Sequence, residues 1–588
     1  MSGPTTAPGP TRVPGPGSDP ATSSSPGAPE PPAPPASAAP LAGDAGHAVA
    51  PLERRRADLE ALTRERLDLL VVGGGITGAG ILLDAVSRGL RAALIEQEDI
   101  ASGTSSRSSR LIHGGLRYLE QMRLGLVHEA LSERARLADL APHLVRLEPF
   151  VFPIYGAPVV NRLFYGAGLT MYDLLGSARR IGRHRHLMRE RTLELAPVLR
   201  RDGLRGSIVY HDGVEDDARY TLAVVRTAVG MGGVAVTRAR VSGLIAEGGR
   251  VAGIRVHDRL AGADIEIRAR HVIDATGVWE ADAEGPLGPS MRIVPSRGAH
   301  LVVARARIPV RHGMSIRVPG RVFFLVPWPD CWIIGTTDAP YEGPPDRPAA
   351  SGAEVDELLA KVNHVLQVDL SRADVLGTYA GLRPLVGGTV AGSTVKVSRE
   401  HRVRADANGL VHVSGGKYTT YRIMARDAVE AALGAEAVSR PSRTAELPIR
   451  GAAPHRQLRT LAVRLTRDHG LSERVATRLV DRHGTEAEAI ARLGAAEDRL
   501  APLGDGLAQI EAEVVWAARE EQALSLDDVL ARRARLAVEL PDRGASIAPR
   551  VAALLGAELG WDAGRQAREV DEYLAGAHAE YDVPPPAA

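Results

Sequence analysis

The sequence predicts an α/β protein built on a discontinuous dinucleotide-binding sheet. Three separated stretches predict it: "LDLLVVGGGITGAGILLDAVSRGLRAALIEQEDI", "DIEIRARHVIDATGVWE" and "GLVHVSGGKYTTYRIMARDAVEAAL". In the first, Leu67 to Val72 is an apolar run of strand length, Ile76 to Arg88 has helical spacing, and Ala92 to Ile95 is a second strand. Gly73, Gly75 and Gly78 place G-x-G-x-x-G at the strand-to-helix turn, where glycine permits a tight bend and the helix N-terminus presents N–H groups to a pyrophosphate. Glu96, 23 residues beyond Gly73, stands where a carboxylate accepts from ribose hydroxyls.

The second stretch distinguishes between dinucleotides. "VAGIRVHD" and "DIEIRARHVIDATGVWE" read as strands, the last of them running through Val272 into Ala275-Thr276-Gly277. A sheet completed about 200 residues after its first strand and closed by ATG is the habit of FAD-binding two-domain oxidoreductases, whereas NAD domains are usually contiguous. In the third stretch Leu410 to Val413 is a strand, Gly415-Gly416 a turn and Thr419 onward an amphipathic helix, with Lys417 between them. A cation beside a helix N-terminus suits the part of a flavin that turns anionic on reduction.

Composition narrows the classes further. The 588 residues allow roughly three or four domains. Lys plus Arg (72) nearly balance Asp plus Glu (71), so no overall field recruits nucleic acid. The single cysteine, Cys331, excludes an internal disulfide and a cysteine-built metal site, no metal is expected, and a reducing compartment is the default. Among a great excess of arginines only Lys361, Lys396 and Lys417 are lysine, which makes each of them informative. Residues 1 to about 50 are nearly all Pro, Ala, Gly, Ser and Thr and are expected to be a disordered tail without a secretory signal. No apolar run is long enough to span a membrane.

"HGGLRYLE", residues 113 to 120, sets Arg117 behind Gly114 and Gly115. It reads either as a glycine turn with a solvated arginine or as a place where backbone approaches a ligand that the guanidinium grips. Together with "VVGGGITGAG", "TSSRSSRLIHGGLRYLE", "DDARYTL", "DATGVW", "IIGTTD", "YAGLRPL" and "GGKYTTYR" it occurs in the order and spacing of FAD-dependent glycerol-3-phosphate dehydrogenases, a branch of the D-amino-acid-oxidase-like flavoproteins. The chain resembles that family from about residue 65 to 540, and "AEVVWAAREEQALSLDDVLARRAR" (512–535) looks like its helical cap.

The resemblance implies a Rossmann-like FAD-binding domain drawn from 65–140, 216–290 and 401–440, and a substrate domain with a mixed or antiparallel sheet from 141–215 and 291–400. A C-terminal helical domain follows over 455–580. "RVFFLVPWPDCWIIGTTD" is a hairpin candidate for the substrate sheet. The resemblance also implies FAD contacts by Gly73, Gly75, Gly78, Glu96, Thr104, Ser105, His113, Gly114, Gly115, Ala275, Thr276, Gly277, Gly416, Lys417 and Thr419. The substrate anion falls to Arg117, Tyr118, Arg383, Arg399, His300 and Lys417, with His300, Arg117 and Arg383 as the catalytic candidates. His300 is the expected general base because an imidazole titrates near neutrality, although the cationic cluster lowers its pKa.

The implied reaction is oxidation of sn-glycerol 3-phosphate to dihydroxyacetone phosphate, with electrons passed to a quinone. The alternatives are an oxygen-using oxidase, an amine-oxidising relative and a non-catalytic flavoprotein subunit. "SARRIGRHRHLMRER" (177–191), with eight Arg or His side chains, reads as a surface for anionic lipid or as a solvated basic loop. Family resemblance favours a cytoplasmic protein peripheral on the inner face of the cytoplasmic membrane, and a homodimer is compatible with it.

Overall fold

The computed structural model describes residues 3, 50–114, 124–156, 184–281, 285–288, 291, 293–318, 321–387 and 400–587. Apart from residue 3, they lie in the unit His47–Ala588. The predicted tail falls almost wholly outside them, as do Gly115, Arg117, Tyr118, Lys396 and Arg399.

Leu67–Val72 sits near the middle of the first sheet. Its neighbours are Ala263–Asp274 on one side and Ala92–Ile95 on the other, both parallel, with Leu70 opposite Val272 and Ala93. Leu410–Gly415 extends the parallel set beyond Ala263–Asp274, and Val234–Val236 extends it beyond Ala92–Ile95. A parallel sheet must be covered on both faces, which is why residues 69–72, Ala92–Ile95 and Val234–Val236 are unbroken apolar runs. Alternate residues go to opposite sides. Leu69 and Val71 pack with the helices Ile76–Ser87, Asp217–Gly230 and Tyr421–Leu433, while Leu70 and Val72 pack with Leu59 and Leu62 of the helix Pro51–Arg64 and with Ile254 and Val256. Gly80 lets two of those helices close: a Cβ there would lie 2.7 Å from the Tyr421 ring.

Among the described residues the second sheet has ten strands and is antiparallel except where Gly313–Val318 runs parallel to Val145–Tyr155. The hairpin expected around Pro329-Asp330 is present as Arg321–Pro327 paired with Cys331–Gly335. At its functional edge Ile293–Ala304 pairs with Val375–Val386 and sets His300 opposite Tyr379 and Ser296 opposite Arg383. The helix Gly352–Val365, started by a Ser351–Glu354 capping box, covers one face. The C-terminal helices cover the other, where Val302, Ile333 and Tyr379 meet Val529, Leu530 and Ala537. The expected cut at residue 140 does not separate the sheets cleanly, because Leu111–Ile112 already pairs with Leu204–Glu215 of the second sheet.

The helices between His455 and Tyr581 keep a small core of their own, including Leu465, Leu479, Ile490 and Trp516. They are joined to the first sheet by buried charges. Asp99 receives Arg532 (Nε to Oδ2, 2.5 Å) and Arg533, Asp528 receives Arg238 (2.7 Å), Asp217 receives Arg535 (2.8 Å) and Glu521 receives both ends of the Arg219 guanidinium. Removing one partner of such a pair strands a charge in the interior, at a cost of about 3–5 kcal/mol. Asp99→Asn is therefore expected to lower the free energy of urea unfolding by about that amount at pH 7, with an unchanged denaturant slope. A loss under about 0.5 kcal/mol, as at an exposed pair, would contradict it.

Candidate active site

The turn after Leu67–Val72 is shaped by two glycines for different reasons. Gly73 has φ +109°, and a Cβ on it would lie 2.6 Å from the Ala275 carbonyl oxygen. Gly78 has an ordinary φ, but its Cβ would meet the Gly73 carbonyl oxygen at 1.9 Å, so it seats the helix Ile76–Ser87 on the turn and does not itself line the cavity. Ser105 Oγ accepts from the Ile76 N–H (2.9 Å) at the start of that helix. Glu96 accepts from the Gly74 N–H (2.6 Å) and the Glu98 N–H (2.8 Å), and burial pushes its carboxyl up to about 7. The ATG turn is held from below. Asp274 Oδ1 accepts from Thr276 N (3.0 Å) and Oγ1 (2.7 Å), and Oδ2 lies 2.9 Å from His412 Nδ1.

The opposite wall comes from the second sheet. His300 is buried with its ring stacked on Tyr379, centroids 4.6 Å apart at 11°, and its Nε2 lies 2.8 Å from Ser109 Oγ. Its Nδ1 has no hydrogen-bond partner among the described residues. Burial, then the Arg383 and Arg110 guanidiniums, push its pKa down to about 3. The lowering expected from the cationic cluster is present, but enclosure lowers it more than the cations do, and a titration near neutrality is not retained. Arg383 donates to Thr336 Oγ1 (3.0 Å) and the Thr337 carbonyl (3.3 Å), with Asp338 at 3.8 Å. Two absent side chains make this possible, since a Cβ on Gly298 would lie 2.4 Å from Arg383 Nη2 and one on Gly335 would lie 2.2 Å from His300 Cδ2. Arg110 sits behind the site, its guanidinium 4.2 Å from the Trp328 ring centroid and 3.5 Å from Glu539.

Between the walls lies a cavity of about 1160 Å³. Of the residues expected at the cofactor, Gly73, Gly75, Glu96, Thr104, Ser105 and His113 line it from one side, and Ala275, Thr276, Gly277, Gly416, Lys417 and Thr419 from another. His300 and Arg383 line it too. Gly114 does not; its N–H donates to Asp212 Oδ1 (3.2 Å). Gly115, Arg117, Tyr118 and Arg399 are outside the described residues. Ser109, Gly335 and Tyr379 stand inside quoted motifs but had no role assigned there, and Gly298 was not singled out; strand register sets Tyr379, Gly298 and Gly335 around the site, and the loop before Leu111–Ile112 brings Ser109 to His300.

FAD fits this cavity. It exceeds the roughly 300–1,000 Å³ of sites for smaller ligands and has a helix N-terminus and a glycine turn at one end. The buried acid Glu96 lines it and would accept from ribose hydroxyls, and the cations Arg383 and Lys417 line it as well. Gly73, Gly75, Glu96, Ser105, Thr276 and Lys417 would hold the cofactor, and the bound group would supply two-electron acceptance.

Comparison with known proteins agrees with this geometry. The FAD dependent oxidoreductase family matches residues 68–430, and the C-terminal domain of alpha-glycerophosphate oxidase matches 442–566. Glycerol-3-phosphate dehydrogenase 2 of Mycobacterium tuberculosis is 43% identical over 538 residues, 91% of this chain and 92% of that one. The human mitochondrial glycerol-3-phosphate dehydrogenase is 36% identical over 537 residues, 87% of this chain and 73% of that one. The crystal structure of the glycerol-3-phosphate dehydrogenase from Bacillus halodurans, complexed with FAD, superposes with a TM-score of 0.74 at 27% identity, covering 90% of this chain and 97% of that one. The chain belongs to the FAD-dependent oxidoreductases and, within them, to the glycerol-3-phosphate dehydrogenase family.

Proposed function

We propose that the protein oxidises sn-glycerol 3-phosphate to dihydroxyacetone phosphate with FAD and passes the electrons to a quinone. The observation that carries the reading is that His300 and Arg383, on two adjacent paired strands, line the same cavity as Gly73, Glu96 and Lys417. Arg383 and Lys417, joined by Arg117, Tyr118 and Arg399, bind the phosphate dianion, whose charge-assisted bonds are about twice as strong as neutral ones. The C2 hydroxyl loses its proton to His300 as hydride leaves C2. His300 is a neutral acceptor throughout the physiological range, because a group held down at about 3 is unprotonated at all higher pH. The arriving dianion raises its proton affinity by offsetting the two guanidiniums that lower it. Ser109 holds the ring, and the stacked Tyr379 keeps water from its face.

Electron exit is the finer part of the proposal. No helix among the described residues is long and apolar enough to cross a membrane. Arg185, His186 and Met188, on the short strand Arg185–Met188, are exposed along with Arg189 and Arg191 just beyond it, which supports docking of this segment on anionic lipid.

Anaerobic addition of glycerol 3-phosphate is expected to bleach the yellow flavin band, while sarcosine and D-alanine leave it unchanged. Bleaching by an amine substrate instead would overturn the reading. Arg117→Ala is expected to keep the colour and cost about 2–4 kcal/mol in kcat/KM. An equal loss with free glycerol would move Arg117 from the phosphate to the reacting hydroxyl.

For pH, a His300 held near 3 contributes no acid limb to kcat/KM between about pH 5.5 and 8, since that limb reports free-enzyme groups. His300→Gln is expected to lower kcat without moving the midpoint of any limb in that range. A midpoint near the ordinary imidazole value of about 6.5 that disappears in the variant would show the histidine titrating normally.

A further inference from the structure

The end of the C-terminal helix Ala563–Tyr581 reaches the loop 102–109 on the cofactor side of the cavity. That loop is fastened at several points: Ser105 Oγ accepts from Ile76 N, Thr104 Oγ1 donates to the Leu382 carbonyl (2.6 Å), and Ser108 N donates to Asp217 Oδ2 (2.8 Å). Arg107, in its middle, is turned inward. Its Nε donates to Glu580 Oε1 (2.6 Å), and Nη1 donates to the Ser102 carbonyl and to the Gly103 carbonyl (3.0 Å). Its own carbonyl presses on Gly381, where a Cβ would come within 2.4 Å of it. The Arg107 and Glu580 side chains are 6% and 3% exposed, and among the described residues Glu580 is the only carboxylate within 4.0 Å of the guanidinium. Arg532 also acts on Arg107, and its charge is repulsive. Glu580 lies beyond both family matches, which end at residues 430 and 566.

We propose that Glu580 is a positioning residue for the FAD site, holding Arg107 so that its remaining N–H groups tie the Ser102 and Gly103 carbonyls and keep loop 102–109 on the cavity wall. A guanidinium can do both tasks because its five donors form a fixed fork. Once the carboxylate is removed, the buried cation keeps only the two carbonyls beside a repulsive Arg532, and a shift of the guanidinium toward water draws the loop with it. Two loop hydroxyls are then displaced: Thr104, which bonds Leu382, and Ser105, which bonds the start of the helix Ile76–Ser87. The far end of the clamp is anchored as well. Asp582 pairs with Arg543 (2.8 Å), and its carbonyl accepts from Thr378 Oγ1 (2.8 Å) on the Val375–Val386 strand, which also carries Arg383.

The proposal rests on the FAD assignment and is independent of the substrate. Its test is FAD titration of the apoprotein, followed by flavin fluorescence well below the unfolding temperature, for wild type, Glu580→Gln and Glu580→Asp. Glu580→Gln is expected to raise the FAD dissociation constant about tenfold or more, the usual scale for losing a residue that orients a binding group. Its far-UV circular dichroism should be unchanged, and Glu580→Asp should recover most of the affinity. FAD affinity within about twofold of wild type, with only a lower unfolding midpoint, would assign Glu580 to packing alone and overturn the proposal. If Glu580→Gln does not fold, Arg107→Lys decides. An ammonium keeps the charge facing Glu580 but lacks the fork that serves both carbonyls, so weaker FAD binding supports the proposal and unchanged binding overturns it. A wild type that binds no FAD would instead remove the cofactor assignment.

Discussion

Asp99, three residues beyond Glu96 in the turn that follows Ala92–Ile95, receives two guanidiniums from a segment more than four hundred residues later, and the seating of the C-terminal helices depends on it. Arg532 also bonds Asp527 and Asp528, and Asp528 bonds Arg238, so one chain of alternating charges links the first sheet to those helices. A buried ion pair is weak evidence for net stability but is very sensitive to a missing partner. Its effect is therefore on register, because a displaced helix leaves carboxylates and guanidiniums stranded. Arg535 shows how this reaches the site: one guanidinium nitrogen bonds both Asp217 Oδ1 (2.8 Å) and the Ser106 carbonyl (3.0 Å), so the helical region fixes the cavity loop directly.

Charge is also sorted along the cavity. At the dinucleotide end Glu96 is buried and its carboxyl is pushed up by that burial, so hydrogen bonds donated by neutral hydroxyls would favour its charged form. At the other end Arg383 lines the wall, Arg110 stands behind Tyr379, and both depress His300. A site of this kind disfavours a second cation and favours a dianion. In the proposed reaction, the field that would attract a phosphate adds to the enclosure that weakens His300, and an arriving dianion would offset the cationic part of that weakening.

Much of the cofactor half was legible because its determinants are local. The Gly73 turn, the helix Ile76–Ser87 and the strand ending at Ile95 follow within one stretch, and the predicted strand bounds Leu67–Val72 and Ala92–Ile95 are those of the structure. Even there Gly78 was read as a cofactor contact, although its space is taken by the Gly73 carbonyl. Local spacing identifies a glycine that is needed but not which neighbour requires it. The helix expected from Thr419 starts with a 3-10 turn, Tyr418–Thr420, because Tyr418 is drawn down to the Asp217 carbonyl (2.7 Å), a partner 201 residues away. Lys361, marked by its rarity, pairs with Glu357 one helical turn away, so scarcity alone did not identify a site.

The half that carries His300 and Arg383 was less legible because it is written in register. On Ile293–Ala304 the residues Ser296, Gly298 and His300 share one face, and opposite them Arg383, Gly381 and Tyr379 share the corresponding face of Val375–Val386. The intervening Ala299, Leu301 and Ala380 enter the core on the other side. A slip of one residue would exchange the two sets, burying Arg383 among apolar side chains and turning His300 away from Ser109. Two long strands, a core on each face and the glycines at 298 and 335 all oppose that slip. Neither strand alone shows which alternation is meant, since "IVPSRGAHLVVA" and "VLGTYAGLRPLV" are apolar on both phases. The site exists only when the two are paired, and the C-terminal helices that pack on Tyr379 help to hold that pairing.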